Sequence, residues 1–288
     1  MRKAIVTIVH GESYRRRWSA HALPTWRRYA ARHGYRSIIV IDRPLDESER
    51  ARSRSIAWQK LLVAGHPEVE KHDVAVWVDA DIVMNHRLAP CVVSALTTDK
   101  VGVCEEMELP TDALFAQMVR TNEKNLLEGC ARLGIPHPTD PFRRYGLSEP
   151  PERYFNTGVM VIRPREHREL LEAVYYGYED KGPGCLYEQV PLSFEISRKR
   201  QYEVLDPKFN VLYGKFFVAL GCGRAKFAVI DGRAAILGAI LGNVYFLHFA
   251  GIQHVMPDLG LLDLDASPIR LKRAKVRKRV MRELESLK

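Results

Sequence analysis

The sequence has few cysteines, and none are spaced as a metal-binding or redox pair. There are five in 288 residues, an odd number that is widely spread and contains no C-x-x-C. This excludes the common cysteine-pair zinc pattern and a thioredoxin-like couple. We interpret the five as reduced structural thiols of a cytoplasmic protein. They are Cys91, Cys104, Cys130, Cys185 and Cys222.

Long hydrophobic runs are also missing. A helix that crosses a bilayer needs about 20 consecutive apolar residues, and the richest segment here, residues 234–249, contains two glycines, an asparagine and a histidine. The first residues hold a short apolar run that charge interrupts, which favours a strand over a secretion signal. We therefore expect no membrane span.

The composition is that of a globular protein with an excess of positive charge. Hydrophobic residues make up 46% and charged residues 27%, which excludes a disordered or fibrous chain. The formal net charge of +9 favours anionic partners such as nucleotide diphosphates, lipid head groups or nucleic acid. There is no nucleic-acid motif and no basic stripe interleaved with aromatic residues, so nucleic acid is not an expected partner.

Short apolar runs alternate with amphipathic stretches, which predicts an α/β fold with a mostly parallel sheet and flanking helices. The predicted strands are residues 3–9, 37–41, 74–78, 100–104, 154–162, 226–230 and 244–249. The predicted helices are residues 18–33, 52–64, 88–96, 112–133, 166–178 and 186–198. A proline-rich connection at residues 136–151 is expected to be a loop that closes over a site.

Two carboxylates follow the run VAVWV, which reads as a strand buried on both faces. They are Asp79 and Asp81. If the strand continues through them, both side chains point to the same face, at the strand end where open α/β sheets bind ligands. Carboxylate oxygens there suit Mn²⁺ or Mg²⁺. The sequence therefore predicts a divalent metal site.

The same spacing occurs a second time, in Asp263 and Asp265. This second pair lies in a polar segment and has no buried strand before it, so its context does not favour a metal site. For the first pair, the alternative to metal binding is a pair of strand-end carboxylates that cap the next helix.

Four stretches together resemble a known family. They are WVDADIVMN, YFNTGVMVIRP, YEQVPLSFEI and LHFAG, in that order along the chain. In this they resemble GT-A glycosyltransferases, and especially the retaining enzymes related to glycogenin, to bacterial lipopolysaccharide galactosyltransferases and to fungal and plant galactosyl- and mannosyltransferases. The resemblance covers roughly residues 3–255 and implies the GT-A fold, with a mostly parallel, Rossmann-like sheet.

The resemblance implies roles for residues downstream of the two carboxylates. Asn156 and Gly158 would form the edge that holds the donor sugar. Glu188 and Gln189 would be the catalytic pair beside the anomeric carbon. Glu188 would orient donor hydroxyls, and Gln189 would support the oxocarbenium-like centre or bind the acceptor. His248 would complete the metal site with an imidazole nitrogen. Without the resemblance, these residues read as a turn entering a strand, a helix start and a core histidine.

Further donor contacts are expected from positions nearer the start of the chain. Tyr14 is placed like the aromatic residue that stacks on the base in similar enzymes, and Lys60 like a basic residue near the phosphates. Ala80 is included because it lies between the two carboxylates, and Arg54 is a further phosphate candidate. Packing and solvated charge are the alternatives. Related bacterial enzymes carry a lysine six residues after the metal histidine, and here that position is His254.

These assignments imply an enzyme that uses Mn²⁺ or Mg²⁺ to transfer a hexose from a nucleotide diphosphate sugar, with a UDP-sugar as the expected donor, to a glycan or glycolipid acceptor. The resemblance implies retention of configuration. Glu105 and Glu106 could supply a carboxylate for a covalent intermediate, but we favour same-face attack by the acceptor. The catalytic domain is predicted at residues 1–260, with a nucleotide-sugar half at 1–105 and an acceptor and metal-completing half at 106–260.

Two other functions remain open from the sequence. A sugar-phosphate nucleotidylyltransferase would share the sheet and the carboxylates, but such enzymes place a Gly-rich, Arg-containing loop after the first strand. This chain has HGESYRRR there, with one glycine. A non-catalytic basic module that binds membrane or nucleic acid is the alternative from another class.

Residues 261–288 are predicted to be a separate basic helical tail. After Pro268 the chain reads IRLKRAKVRKRVMRELESLK, in which apolar residues are spread among many lysines and arginines. We interpret this tail as a peripheral anchor on anionic lipid at the inner face of the membrane, near a lipid-linked acceptor. A solvated helix is the alternative.

Overall fold

A computed structural model of the chain describes residues 1–106, 141–147, 149, 151–182, 186–219, 230–266, 268–272 and 275. The predicted helix at 112–133, most of the basic tail and part of the proline-rich connection lie outside these ranges. Within these ranges, Cys91 and Cys104 form no disulfide bond. A search of the helices in the described ranges finds none that is both long and apolar enough to span a bilayer.

The strands form one large sheet and two small ones. In chain order they are β1 (Lys3–Ile8), β2 (Ser37–Ile41), β3 (Val74–Val78), β4 (Ile82–Met84), β5 (Val101–Glu105), β6 (Phe155–Ile162), β7 (Tyr202–Val204), β8 (Val211–Leu212), β9 (Phe246–His248), β10 (Leu262–Asp263) and β11 (Arg270–Leu271). The large sheet has the order β2-β1-β3-β6-β5-β7. Within it only β6 is antiparallel to its neighbours, so the sheet is mostly parallel, as predicted.

A three-stranded sheet lies next to the large one, with the order β4-β9-β8. In it β9 runs antiparallel to β4 and parallel to β8. The third sheet is the antiparallel pair β10-β11.

Helices cover the large sheet. The α-helices are Glu12–Arg17, Leu23–His33, Glu49–Arg52, Pro67–Glu70, Pro141–Arg144, Pro164–Gly177, Gln189–Arg198, Tyr213–Ala219 and Ile230–Leu241. The segment Trp18–Ala22 is π-helical and joins the first two. The 3₁₀ helices are Ile56–Gly65, Val92–Ala95, Pro207–Phe209 and Gln253–Leu261.

The large sheet has a hydrophobic core on each face, because successive side chains of a strand point to opposite sides. In β1, Ile5 packs into one core, while Ala4 and Val6 pack into the other. The helix Leu23–His33 covers the first face with Trp26 and Tyr29, and other helices cover the second face. All five residues of β3 are buried, so the prediction of a strand buried on both faces is confirmed.

The predicted helices are confirmed in part. Leu23–His33 ends at Gly34, whose φ of 65° and ψ of 36° give the left-handed cap expected of glycine. The helix predicted at 52–64 is divided in two, because the Ser55 side chain caps a separate 3₁₀ helix at Ile56–Gly65. The helix predicted at 88–96 is wrong, since Pro90 interrupts it and only Val92–Ala95 is helical. Of the strand predicted at 226–230, the described residue Ile230 begins a helix.

The strand that precedes the carboxylates has the predicted bounds and does not continue through them. β3 ends at Val78, and Asp79 to Asp81 form a tight turn in which the Ile82 amide donates to the Asp79 carbonyl at 3.1 Å. The chain then enters β4 of the small sheet. The condition under which both carboxylates would point to one face of the strand is therefore not met. They lie in the turn that joins the two sheets.

The segment after Pro268 also differs from its prediction. Arg270–Leu271 is not the start of a helix but a strand, which pairs with Leu262–Asp263. Leu262 is buried in the core, and Leu271 packs against it. Local apolar contact therefore holds these residues extended against the preceding segment.

Replacing Trp26 with alanine is expected to lower the free energy of unfolding by about 3–5 kcal/mol. Trp26 is fully buried, and its indole Nε1 donates to the Ile82 carbonyl at 2.8 Å, which connects the helix to β4. Urea unfolding of the variant measures the loss. Leu88→Ala, at a residue 45% exposed, is the control and is expected to change stability by less than about 0.5 kcal/mol. A Trp26→Ala loss below about 1 kcal/mol would contradict this account of the packing.

Candidate functional site

A cleft of about 690 Å³ opens where the large and the small sheet meet. The turn between β3 and β4 forms part of its wall, together with the ends of β1, β6 and β9 and the start of the helix Gln189–Arg198. The predicted site residues on this wall are Tyr14, Lys60, Asp79, Ala80, Asp81, Asn156, Glu188, Gln189 and His248. Gly158 lies behind the wall, in contact with His248.

Asp79, Asp81 and His248 form a group that could hold a metal ion, with one ligand atom from each lying within 4.8 Å of the others. His248 Nε2 is 3.2 Å from Asp81 Oδ1 and 3.7 Å from Asp79 Oδ2. The remaining oxygens are held by the protein, since Asp79 Oδ1 accepts from Trp77 Nε1 and Asp81 Oδ2 accepts from Gln253. Two carboxylate oxygens and an imidazole nitrogen therefore converge, and this donor set fits a divalent cation such as Mn²⁺.

Backbone pairing brings these three residues together. Ile82, which follows the carboxylates, pairs with His248 in the β4-β9 ladder. The next residue, Phe249, donates its amide to the Asp81 carbonyl at 3.0 Å. On the other side, the Asp79 amide donates to the Gly158 carbonyl at 2.9 Å. The group is thus attached to both sheets.

The electrostatics of the group favour a positive charge at its centre. Burial alone would lower the pKa of His248, but the carboxylates of Asp81 and Asp79 outweigh it and raise this pKa. Burial alone would likewise raise the pKa of Asp81, but His248 and Gln253 lower it. A protonated imidazole or a divalent cation would each supply the positive charge that these buried carboxylates favour.

Lys60 is buried beside the group formed by Asp79, Asp81 and His248. Its Nζ donates to Asp79 Oδ1 at 3.0 Å and lies 2.9 Å from Glu188 Oε1, and only 5% of its side chain is exposed. Burial alone would lower the pKa of Lys60, but Asp79 and Glu188 outweigh it and raise this pKa, so the ammonium group stays charged. Lys60 therefore neutralises two carboxylates of the cleft.

Glu188 presents one oxygen that no described residue satisfies. Its Oε1 accepts from Thr157 Oγ1 at 2.9 Å and contacts Lys60. Its Oε2 is buried on the wall of the cleft without a hydrogen-bond partner among the residues described. Burial raises the pKa of Glu188, although Lys60 opposes this shift. An unsatisfied buried acceptor at a cleft wall is suited to a ligand hydroxyl.

Gln189 and Asn156 meet at a second carboxylate. Asn156 Nδ2 donates to Glu106 Oε2 at 2.7 Å, and Gln189 Nε2 donates to the same oxygen at 3.3 Å. Burial raises the pKa of Glu106, while Lys215 lowers it. Of the two acids proposed as a nucleophile, Glu106 lines the cleft, whereas Glu105 pairs with Arg153 at the surface.

Gly158 leaves room for the imidazole of His248. A Cβ at this position would lie 2.5 Å from His248 Cε1 and 2.6 Å from its Nδ1. Real Cβ atoms do not approach other heavy atoms so closely, so any larger residue here would displace His248. Gly158, which was predicted at the donor-sugar edge, therefore keeps the His248 imidazole in place beside Asp79 and Asp81.

The rim of the cleft is partly apolar. Tyr14 is 44% exposed, and Ile56 and Leu186 on the same wall are 41% and 43% exposed. Leu186 and Tyr187 both have a positive φ, near 55° and 51°, just before the helix that begins at Gln189. Non-glycine residues adopt this conformation at a cost, and such residues are enriched at functional sites.

Two weaker candidates lie elsewhere. Arg54 is buried and does not line the cleft; its guanidinium donates to the Tyr175 carbonyl at 2.6 Å and pairs with Glu179. His254 is not among the residues that line the cleft, and its neighbour Gln253 reaches Asp81 instead. The second carboxylate pair is also remote, since Asp265 pairs with Arg28 at the surface.

Several residues of the site were not assigned a role from the sequence. Trp77 and Thr157 lie within two of the four stretches that carry the resemblance, and Gln253 follows the last of them. Each contacts a predicted site residue in the structure. Asn210 is similar, because it follows a short 3₁₀ helix and lies next to His248 only through the pairing of β8 with β9.

The fold is similar to that of solved glycosyltransferases. One is a glycosyltransferase involved in the glycosylation of the major capsid of PBCV-1, with a TM-score of 0.52 and 13% identity, covering 89% of this chain and 99% of that chain. Two weaker similarities have TM-scores below 0.5. The galactosyltransferase LgtC in complex with donor and acceptor sugar analogues has a TM-score of 0.45 and 13% identity, covering 89% of this chain and 94% of that chain. The apo form of mouse xyloside xylosyltransferase 1 has a TM-score of 0.41 and 15% identity, covering 87% of this chain and 98% of that chain. No family model and no curated protein matches the sequence. The predicted GT-A fold is confirmed.

Replacing Gly158 with alanine is expected to weaken Mn²⁺ binding roughly tenfold or more, because the added Cβ displaces the His248 imidazole. Isothermal titration calorimetry measures the affinity. Gly177→Ala is the matched control, since a Cβ there meets no atom within 4 Å. Unchanged Mn²⁺ affinity in Gly158→Ala would show that His248 does not bind the ion.

Replacing Lys60 with methionine is expected to cost about 3–5 kcal/mol of folding stability, because two carboxylates lose their buried cation. The loss should grow with pH. Burial raises the pKa of Glu188 in the folded state, and a carboxyl with a raised folded pKa destabilises the fold as pH rises above its unfolded pKa. Without Lys60 the folded-state pKa of Glu188 rises further. The stability that the variant loses relative to the unaltered protein should therefore be larger at about pH 8 than at about pH 5.

Urea unfolding at the two pH values measures this deficit. Lys71→Met is the control, because Lys71 is 61% exposed in its pair with Glu68 and should contribute less than about 0.5 kcal/mol. A deficit for Lys60→Met that stays constant or falls with pH would contradict the role of Lys60 as the counter-ion of Glu188.

Proposed function

We propose that this protein is a divalent-metal-dependent glycosyltransferase that uses a nucleotide diphosphate sugar. The observation that carries the proposal is the convergence of Asp79, Asp81 and His248 on the wall of a cleft of about 690 Å³. The same cleft presents Glu188 and Gln189. The fold, shared with a known glycosyltransferase at a TM-score of 0.52, supports this class of reaction.

Asp79, Asp81 and His248 are the residues that would hold the ion. A bound Mn²⁺ or Mg²⁺ would neutralise the charge that develops on the leaving diphosphate. The protein fixes its ligands in advance, because Trp77 and Lys60 hold Asp79, and Gln253 holds Asp81. Preorganised ligands of this kind need little rearrangement when the donor binds.

The polar side chains of the cleft would orient the sugar. Glu188 Oε2, which has no partner among the described residues, is available to accept a hydrogen bond from a donor hydroxyl. Gln189 follows Glu188 in the chain, and its carboxamide would lie beside the anomeric carbon. Tyr14 and Ala80 would contact the nucleotide, with the exposed ring of Tyr14 stacking on the base.

We favour retention of configuration by attack of the acceptor on the face that the diphosphate leaves. Glu106 is the one acid of the two considered that lines the cleft. Its Oε2 already accepts hydrogen bonds from Asn156 and Gln189, and its backbone carbonyl accepts from Lys215 at 2.6 Å. A carboxylate held in this way is suited to orienting neighbours rather than to forming a bond with the sugar.

The donor, the acceptor and the compartment are proposed from the sequence. We propose a UDP-sugar as donor, a glycan or glycolipid as acceptor, and Mn²⁺ as the preferred ion. The net charge of +9 and the basic residues after Pro268 support a cytoplasmic enzyme that contacts anionic lipid at the inner face of the membrane. Nucleic acid is not a proposed partner.

The proposal is tested by measuring release of nucleoside diphosphate from UDP-sugars in the presence of Mn²⁺, with and without a chelator. The double variant Asp79→Asn/Asp81→Asn should lose roughly a hundredfold or more of this activity, because the leaving diphosphate then lacks its counter-charge. The chelator should have a similar effect on the unaltered protein.

The chain supplies a matched control. Asp263→Asn/Asp265→Asn removes two carboxylates with the same spacing, outside the cleft, and should leave activity unchanged. Equal loss in both double variants, or activity that survives the chelator, would contradict the proposal. Release of pyrophosphate from a nucleoside triphosphate and a sugar phosphate would instead identify a nucleotidylyltransferase.

A further inference from the structure

Asn210 is buried behind the proposed metal site and has no role in the function described above. It is 6% exposed and does not line the cleft. It follows the 3₁₀ helix Pro207–Phe209 and precedes β8, whose residue Leu212 pairs with His248. This pairing brings the Asn210 carboxamide against the edge of the imidazole that faces away from the carboxylates.

Asn210 joins His248 to Asn156. Asn210 Oδ1 is 2.9 Å from His248 Nδ1. Asn210 Nδ2 donates to Asn156 Oδ1 at 2.7 Å and lies 3.3 Å from the Asn156 carbonyl. Asn156 continues the chain of hydrogen bonds, since its Nδ2 donates to Glu106 Oε2 at 2.7 Å.

The backbone amide of Gly158 fixes the direction of the hydrogen bonds in this chain, because a backbone amide can only donate. It donates to Asn156 Oδ1 at 2.9 Å. Asn156 therefore directs its oxygen towards Asn210, and Asn210 must direct its amide nitrogen towards Asn156. The oxygen of Asn210 then faces His248.

An acceptor at Nδ1 determines where the proton of a neutral imidazole lies. Because Asn210 Oδ1 accepts, Nδ1 carries the hydrogen and Nε2 keeps its lone pair. Nε2 is the nitrogen that faces Asp81 and Asp79, at 3.2 and 3.7 Å from their nearest oxygens. A lone pair at Nε2 is what a metal ligand requires.

We propose that Asn210 is a positioning residue that holds His248 in the tautomer able to bind the divalent cation. This inference rests on the proposed metal site. Asp81 Oδ1 is close enough to accept a hydrogen bond from Nε2, and this bond would stabilise the other tautomer. The acceptor that Asn210 places at Nδ1 counteracts this effect. Without the acceptor at Nδ1, the proton of the neutral ring moves to Nε2, and binding of the ion must first displace it.

The test is a double-mutant cycle that combines Asn210→Leu with His248→Ala and measures Mn²⁺ affinity by calorimetry. Asn210→Leu keeps a side chain of similar size but removes the acceptor. It should weaken Mn²⁺ binding roughly 10- to 100-fold in the unaltered protein. In the His248→Ala background it should have no further effect, because no imidazole remains to be positioned.

A spectroscopic readout separates the tautomer from a general loss of structure. In metal-free protein labelled with ¹⁵N-histidine, at a pH where the ring is neutral, the Nδ1 signal of His248 should be that of a protonated nitrogen and the Nε2 signal that of an unprotonated one. Asn210→Leu should exchange the two patterns. His248→Ala assigns the signal among the ten histidines of the chain. If Asn210→Leu does not fold, Asn210→Ala removes the same acceptor.

The outcomes distinguish this inference from the metal site on which it rests. If His248→Ala weakens Mn²⁺ binding but Asn210→Leu and Asn210→Ala do not, the inference is wrong and the metal site stands. Equal weakening by Asn210→Leu in both backgrounds would mean that it disturbs the carboxylates, and this also overturns the inference. If His248→Ala leaves binding unchanged, the proposed metal site itself fails.

Discussion

The pairing of β4 with β9 is the interaction on which the rest of the site depends. It places Ile82 opposite His248, so two segments separated by more than half of the chain become neighbours. The Phe249 amide then donates a hydrogen bond to the Asp81 carbonyl. These backbone hydrogen bonds bring the three potential ligands together, so contacts between their side chains are not needed to hold the backbone. The position of the site is therefore a property of backbone hydrogen bonding, and its chemistry is a property of the side chains.

Charge balance is the second constraint on the cleft. Three buried or half-buried carboxylates, Asp79, Asp81 and Glu188, lie close together, and an isolated buried carboxylate is costly. Lys60 offsets part of this cost from within the fold. On the other side of the group, Asp81 contacts His248 and Gln253, and a divalent ion there would supply positive charge to the buried carboxylates.

Much of the fold could be predicted from the sequence, because the inner strands of the large sheet are buried on both faces and read as apolar runs, as in β3. The carboxylate pair was found for the same reason, since it follows such a run. The turn at Asp79 was not predicted, because a strand end and a change of sheet leave no apolar pattern. Asn210 could not be found at all, since its contact with His248 depends on the pairing of β8 with β9, which local periodicity does not encode.

The small sheet also determines how late in synthesis the candidate site can form. Its three strands come from residues 82–84, 211–212 and 246–248, so its last strand is synthesised long after the carboxylates. During translation, domains fold as their segments leave the ribosome. The nascent chain can therefore form much of the large sheet early, yet the proposed cation site is incomplete until the last strand of the small sheet has emerged. A truncated product that ends before that strand would retain the Asp79 and Asp81 pair but not the imidazole that completes it.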